Sequence, residues 1–170
     1  YEGENTMKNN ALLKFNVNRT NTFNTSLIWI LSIVLSIQAF LTAGTEYGLK
    51  VLICTCSSAI ISTLASFFNY KVKKFDNIIA IIITMSVAFA AGILSSLQRG
   101  TMTVVIFIVY LGSVAMSALY FRVRLLLTHE ILLNIFIIIL YIVDPVGVLG
   151  QGHTPMIFAR TIISLNFILI

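Results

Sequence analysis

The run Ile78-Ile-Ala-Ile-Ile-Ile-Thr-Met-Ser-Val-Ala-Phe-Ala-Ala-Gly-Ile-Leu-Ser-Ser-Leu97 holds 20 residues and no charge. As a helix it would rise about 30 Å, the thickness of a bilayer's hydrocarbon core. Lys71, Lys73 and Lys74 precede it, and Arg99 follows. An uncharged stretch of that length between basic flanks predicts a transmembrane helix.

Five similar runs lie on either side: Ser26–Ala43, Leu49–Phe68, Met102–Phe121, Leu125–Val143 and Met156–Ile170. The last is shorter, at 15 residues. It would rise only about 22 Å and ends on apolar residues. The sequence therefore predicts further chain after Ile170. At the other end, Met7-Lys-Asn-Asn10 reads as a natural start, and residues 1–6 read as a translated leader. The expected organisation is a cytoplasmic N-terminal segment, 1–25, and a six-helix transmembrane region, 26–170, with the sixth helix truncated. The expected fold is an all-α, polytopic membrane helix bundle with six transmembrane helices and a cytoplasmic N-terminus.

Composition agrees. Of 170 residues, 58% are apolar and 10% charged, against about 25% charged in ordinary soluble domains. The mean hydropathy is +0.98. A soluble domain of this size could not hide so much apolar surface. That excludes a soluble enzyme, a disordered tail and a disulfide-stapled secreted domain. The net charge of +5 does not point to nucleic acid, because the basic residues sit in short clusters between apolar runs. Cys54 and Cys56 are the two cysteines, both inside one run, and read as packing residues. Strand-like alternation is absent, which disfavours an outer-membrane barrel.

Lys and Arg bias orients the spans. Lys8, Lys14, Arg19, Lys71, Lys73, Lys74, Arg122 and Arg124 fall on one side of the alternating runs. Lys50, Arg99 and Arg160 fall on the other. The first set marks the cytoplasmic face.

Short loops leave no external domain, so a stimulus must act within the membrane or at its rim. The outer rim gathers Glu46, Arg99, Asp144, His153 and Arg160, a candidate sensing set. Arg160 would seek Glu46 or Asp144. The reading set beside sensing is a structural ion pair with snorkelling. His129 and Glu130 lie in the inner half of the fifth run and are candidate coupling residues. The plainer reading pairs Glu130 with Arg122 and Arg124. Gln38 is expected to hydrogen-bond between helices. Small residues recur at helical spacing: Ser58, Ser62 and Ser66; Ala88 and Gly92; Gly112, Ala115 and Ala118; Ser113 and Ser117. They suit close helix packing, with a homodimer seam or a polar path as their other uses. There is no phosphate-binding glycine loop, zinc-protease signature or nucleophile set, so we expect no enzyme activity, no metal and no cofactor.

The wording Leu13-Lys-Phe-Asn-Val-Asn-Arg-Thr-Asn21, the segment from Ile28 to Gly48, Arg122-Val-Arg124 and Tyr141-Ile-Val-Asp-Pro145 carry a resemblance. Residues 11–170 resemble the six-span N-terminal membrane region of Firmicute-type methyl-accepting chemotaxis proteins. The resemblance implies a receptor whose membrane part senses or anchors. A cytoplasmic hairpin beyond the sixth span would control a chemotaxis histidine kinase through a coupling adaptor. Expected partners are the lipid bilayer, a second copy of the chain, and that kinase and adaptor, with no nucleic acid. The same topology would serve the membrane sensor of a histidine kinase or diguanylate cyclase. A small transporter or permease is the remaining reading; it would call for broken helices at midplane.

Overall fold

A computed structural model describes residues 2–72, 75–98, 103–150 and 154–169. All regular structure among them is helical: α1 (Glu2–Val72), α2 (Asp76–Gln98), α3 (Thr103–Ala118), α4 (Val123–Val143), α5 (Pro145–Leu149) and α6 (Pro155–Leu169). Three stretches are long and apolar enough to cross a membrane: Val17–Val72, Asp76–Leu97 and Val123–Val143. Lys73, Lys74, Arg99 and His153 lie outside the described residues.

The 71 residues of α1 do not form one rod, which would be about 105 Å long. The helix breaks at Gly44, with φ 83° and ψ 178°. That backbone conformation is essentially reserved for glycine. The chain turns back there, so residues 2–43 form a first arm and 45–72 a second, antiparallel arm. Contacts between the arms are placed about Gly44: Trp29 Nε1 donates to Thr63 Oγ1 at 3.0 Å, and Asn69 Nδ2 donates to Asn18 Oδ1 at 3.1 Å. At the turn, the Phe40 ring occupies the space where a side chain on Gly48 would sit. The sequence places a loop between the two runs; the structure keeps helix up to and beyond a single broken residue.

Helix α2 is the central element. Of its most apolar window, 61% is buried, against 17% for α4. Small residues permit this, because Ala80, Ala88, Ala90, Ala91 and Ser95 let neighbouring backbones approach closely. One apolar cluster joins Met85 and Ala88 of α2 to Tyr110 and Val114 of α3 and Leu133 and Ile137 of α4. A second joins Ile28 and Ala59 of the two arms to Ile79 and Ile83 of α2 and Met116 of α3. A third, Val17, Ala80, Tyr120 and Leu125, closes the end where Arg19, Lys71, Arg122 and Arg124 lie. This is the basic end; Gly44, the end of α4 and α5 lie at the other.

Helix α3 stops at Ala118, short of the expected Phe121, which adopts a left-handed φ of 52° in the turn to α4. Its inward face is Tyr110, Ser113, Val114 and Ser117. Ala115 and Ala118 face outward, so only part of the expected small-residue pattern packs inside. Many large apolar side chains remain on the surface, among them Leu64, Ile131 and Ile142. An exposed apolar surface of that extent suits a lipid environment.

Candidate functional site

Hydrogen-bonded polar groups recur through the bundle interior. One centres on His129 of α4, which has no exposed surface. Its Nδ1 lies 3.1 Å from Thr84 Oγ1 of α2, and its Nε2 lies 2.9 Å from Ser113 Oγ of α3. Thr84 already spends its hydroxyl proton on the Ala80 carbonyl, 3.0 Å away. Thr84 Oγ1 is therefore free to accept from Nδ1–H, while Ser113 O–H donates to Nε2. A neutral imidazole meets both neighbours and ties three helices together. Glu130 is half-buried beside it, and its backbone carbonyl accepts from Asn134 Nδ2 at 2.9 Å. The ion pair expected between Glu130 and Arg122 or Arg124 is not formed. Arg122 Nη1 instead donates to Asn77 Oδ1.

A serine layer joins the second arm to α2. Ser58 Oγ donates to Ser86 Oγ at 3.0 Å, and Ser62 Oγ lies 2.9 Å from the same oxygen. Ser32 Oγ of the first arm donates to the Thr55 carbonyl at 3.0 Å. Gln38, expected to bond between helices, is exposed.

Asparagines dominate the basic end. Asn18, Asn21 and Asn24 are three residues apart, so they share one side of the first arm. Tyr120 O–H donates to Asn21 Oδ1 at 2.6 Å, and Asn24 Nδ2 donates to the Met116 carbonyl at 3.2 Å. Together with Asn18–Asn69 they bind the first arm to the second arm and to the end of α3. Asn21 Nδ2, Asn24 Oδ1, Thr25 Oγ1, Asn69 Oδ1 and Ser117 Oγ are buried there without a partner. Each such atom costs about 1–3 kcal/mol relative to hydration, so this joint is held at some expense.

The rim charges are used differently. Glu46 Oε1 pairs with Lys50 Nζ at 2.7 Å, one helical turn on. It sits in the first turn of the second arm, ahead of the apolar run that begins at Leu49, and the Lys50 hydrogen bond and charge hold its carboxyl below the usual 4.5. Asp144 Oδ1 accepts from Gly147 N at 3.0 Å and caps α5, whose first residue is Pro145. Gly147 in turn lets α5 lie against α2, where Ser95 Oγ donates to its carbonyl. Arg160 is exposed on α6 and forms no ion pair with Glu46 or Asp144. The structure thus forms no ion pair among Glu46, Asp144 and Arg160; Arg99 and His153 fall outside the described residues.

Helix α6 runs antiparallel to α4. Asn134 Nδ2 donates to Asn166 Oδ1 at 2.8 Å, and Asn166 Nδ2 returns a bond to Asn134 Oδ1 at 2.9 Å. Nearer the start of α6, Phe158 stacks on Tyr141 with ring centroids 3.8 Å apart. Met156, Ile157 and Ile163 of α6 are exposed.

Among the described residues no cluster of histidine, cysteine or carboxylate side chains could hold a metal ion. No family model, curated protein or solved structure matches this chain. The residues that sequence reasoning passed over are Asn18, Asn21, Asn24, Asn69 and Thr84. The three-residue spacing of the first three was a visible signal of one polar helix face. The partners of Asn69 and Thr84 are set by tertiary packing and carried no such signal.

Proposed function

We propose that this chain is the membrane sensor and anchor portion of a chemotaxis-type receptor. In this reading six spans cross the bacterial cytoplasmic membrane: the two arms of α1, then α2, α3, α4 and α6. The basic end faces the cytoplasm, as Arg19, Lys71, Arg122 and Arg124 favour. Helix α6 relays a stimulus to a cytoplasmic signalling domain joined to it, acting in a homodimer with a histidine kinase and coupling adaptor.

The carrying observation is the unequal attachment of α6. The arms, α2, α3 and α4 share three apolar clusters and the His129 and asparagine joints. Among the described side chains, helix α6 is held by the Asn134–Asn166 amide pair and the Tyr141–Phe158 stack, with Phe158 and Ile162 at the edge of one cluster. A helix so attached can shift against a fixed core at a cost of few contacts. A stimulus acts by favouring one of its positions over another.

The test joins a chemoreceptor signalling hairpin after residue 170 and inserts one to four residues at the junction. Each insertion rotates the output by about 100°. Kinase activity should rise and fall with insertion length, at a period near 3.6 residues. A flat response would remove the relay. Reporter fusions at residues 73 and 99 should report opposite compartments; the same compartment would remove the topology.

A further inference from the structure

The first arm of α1 and α3 are tied together at the basic end, by Asn21–Tyr120 and Asn24–Met116. Beyond that joint a cleft of about 340 Å³ separates them, backed by α2 and the second arm. Its walls include Leu31 and Leu35 of the arm, Ala90 and Ala91 of α2, and Val109 and Gly112 of α3. We propose that this cleft holds one acyl chain of a bilayer lipid. The proposal deepens the membrane-sensor reading and rests on these helices lying in a bilayer.

The walls dictate the chemical class. The polar side chains that reach the cleft are already engaged: Ser32 donates to the Thr55 carbonyl, Thr55 to the Val51 carbonyl, and Ser58 to Ser86. An occupant is offered no unmet hydrogen bond, so a polar molecule would lose its hydration for nothing. A hydrocarbon chain loses nothing and gains dispersion contacts on several sides. Gly112 sharpens the point. A side-chain carbon built there would touch nothing within 4 Å, so α3 presents bare backbone to open space. Glycine weakens a helix interior relative to alanine, and no neighbouring helix here takes up the room it leaves.

The shape selects among apolar occupants. The floor is closed by Ile28 and Met116, both buried. Leu31 and Ile108 stand at the walls with 42% and 62% of their surface exposed, so the cleft opens sideways to the surroundings. A helix, about 10–12 Å across with its side chains, would have to pry apart walls that the asparagine joint holds together. One flexible chain enters without moving them. In a bilayer, the hydrocarbon at that mouth is lipid. Bound lipid would set the opening between the first arm and α3, which gives the sensor a grip on the surrounding membrane.

The experiment reconstitutes the chain in phosphatidylcholine–phosphatidylglycerol vesicles with a trace of phosphatidylcholine bearing a mid-chain diazirine. After irradiation, adducts are mapped by mass spectrometry. Residues 87–94 and 108–116 should carry about tenfold more adduct than the openly exposed Leu64 and Ile131, the ratio that ~1.4 kcal/mol of preference gives. Gly112→Phe, which fills the cleft, should lower the cleft yield about tenfold and leave Leu64 and Ile131 unchanged. Val109→Trp serves the same purpose if Gly112→Phe does not fold, as judged by thermal unfolding. Equal yields at all positions would overturn the proposal, as would an undiminished cleft yield in a folded variant. So would a cleft blocked by crosslinks to a second copy, or a co-purifying non-lipid hydrophobe there. Absence of adducts at Leu64 and Ile131 as well would overturn the bilayer reading itself, a separate result.

Discussion

The two ends of the bundle satisfy their polar groups in opposite ways. At the basic end the partners are far apart in sequence: Asn18 with Asn69, Asn21 with Tyr120, Asn24 with Met116, Arg122 with Asn77. Each bond there ties one element to another. At the Gly44 end, Glu46 pairs with Lys50, Asp144 caps its own following helix, and Thr154 Oγ1 accepts from Ile157 N at the start of α6. Each of those groups is satisfied within its own segment; Ser95 Oγ with the Gly147 carbonyl, between α2 and α5, is the exception. Helices can therefore separate at the Gly44 end without stranding a charge, whereas separation at the basic end would strand several buried amides. The basic end is built as a pivot, and the cleft between the first arm and α3 opens away from it.

The largest test of that contrast breaks the pivot. Tyr120→Phe removes the donor to Asn21 and leaves that buried amide with neither of its polar atoms paired. We expect a loss of about 1–2 kcal/mol, read as a lower midpoint for unfolding in detergent. The double variant Asn21→Leu with Tyr120→Phe should recover much of it, since removing both partners leaves nothing unpaired. If the double variant is as unstable as the sum of the two single ones, the bond is not what holds this joint.

The contrast also marks how far the sequence could be read. The six apolar runs coincide closely with helical segments, because length and absence of charge are local properties that survive folding. The break at Gly44 was legible as a boundary between runs, but not as a single residue, since glycines 44 and 48 look alike in the sequence. The expectation that Arg160 would meet Glu46 or Asp144 placed three charges at one rim. Being at one rim does not make them neighbours, and each carboxylate had a closer partner in its own segment. His129 was visible as an ionisable residue in an apolar run. Thr84 and Ser113 as its partners were not, because that choice depends on the rotation of α2 and α3 about their axes. The asparagine joint lay in the segment expected to be a cytoplasmic tail, where amides raise no alarm.

A smaller effect is expected from Asp144→Ala at the Gly44 end. The carboxylate caps a helix of 5 residues, so its loss should cost about 1 kcal/mol, the usual value for an N-cap. Because the cap is local, hydrogen exchange should quicken at residues 146–150 and stay unchanged at 21–25. Acceleration at both would mean that the ends are coupled, and that the pivot is not independent of the rim. Asp144→Asn, which keeps an accepting oxygen, should restore most of the protection.

The smallest effect belongs to Glu46. Its carboxyl is held below the ordinary value by Lys50, so whatever it adds to stability is present above that ordinary value and is lost as pH falls through the lowered one. The group is fully exposed, where solvent screens the pair and the side chains lose entropy in meeting. Glu46→Gln should therefore leave the unfolding midpoint unchanged at pH 7, and the wild-type and variant curves should stay superimposed as the pH falls through the carboxylate range. A variant that unfolds earlier at pH 7, with the gap closing in acid, would show that this carboxylate reaches beyond Lys50 to another segment. The Gly44 end would then be tied as the basic end is, and the freedom assigned to it would be lost.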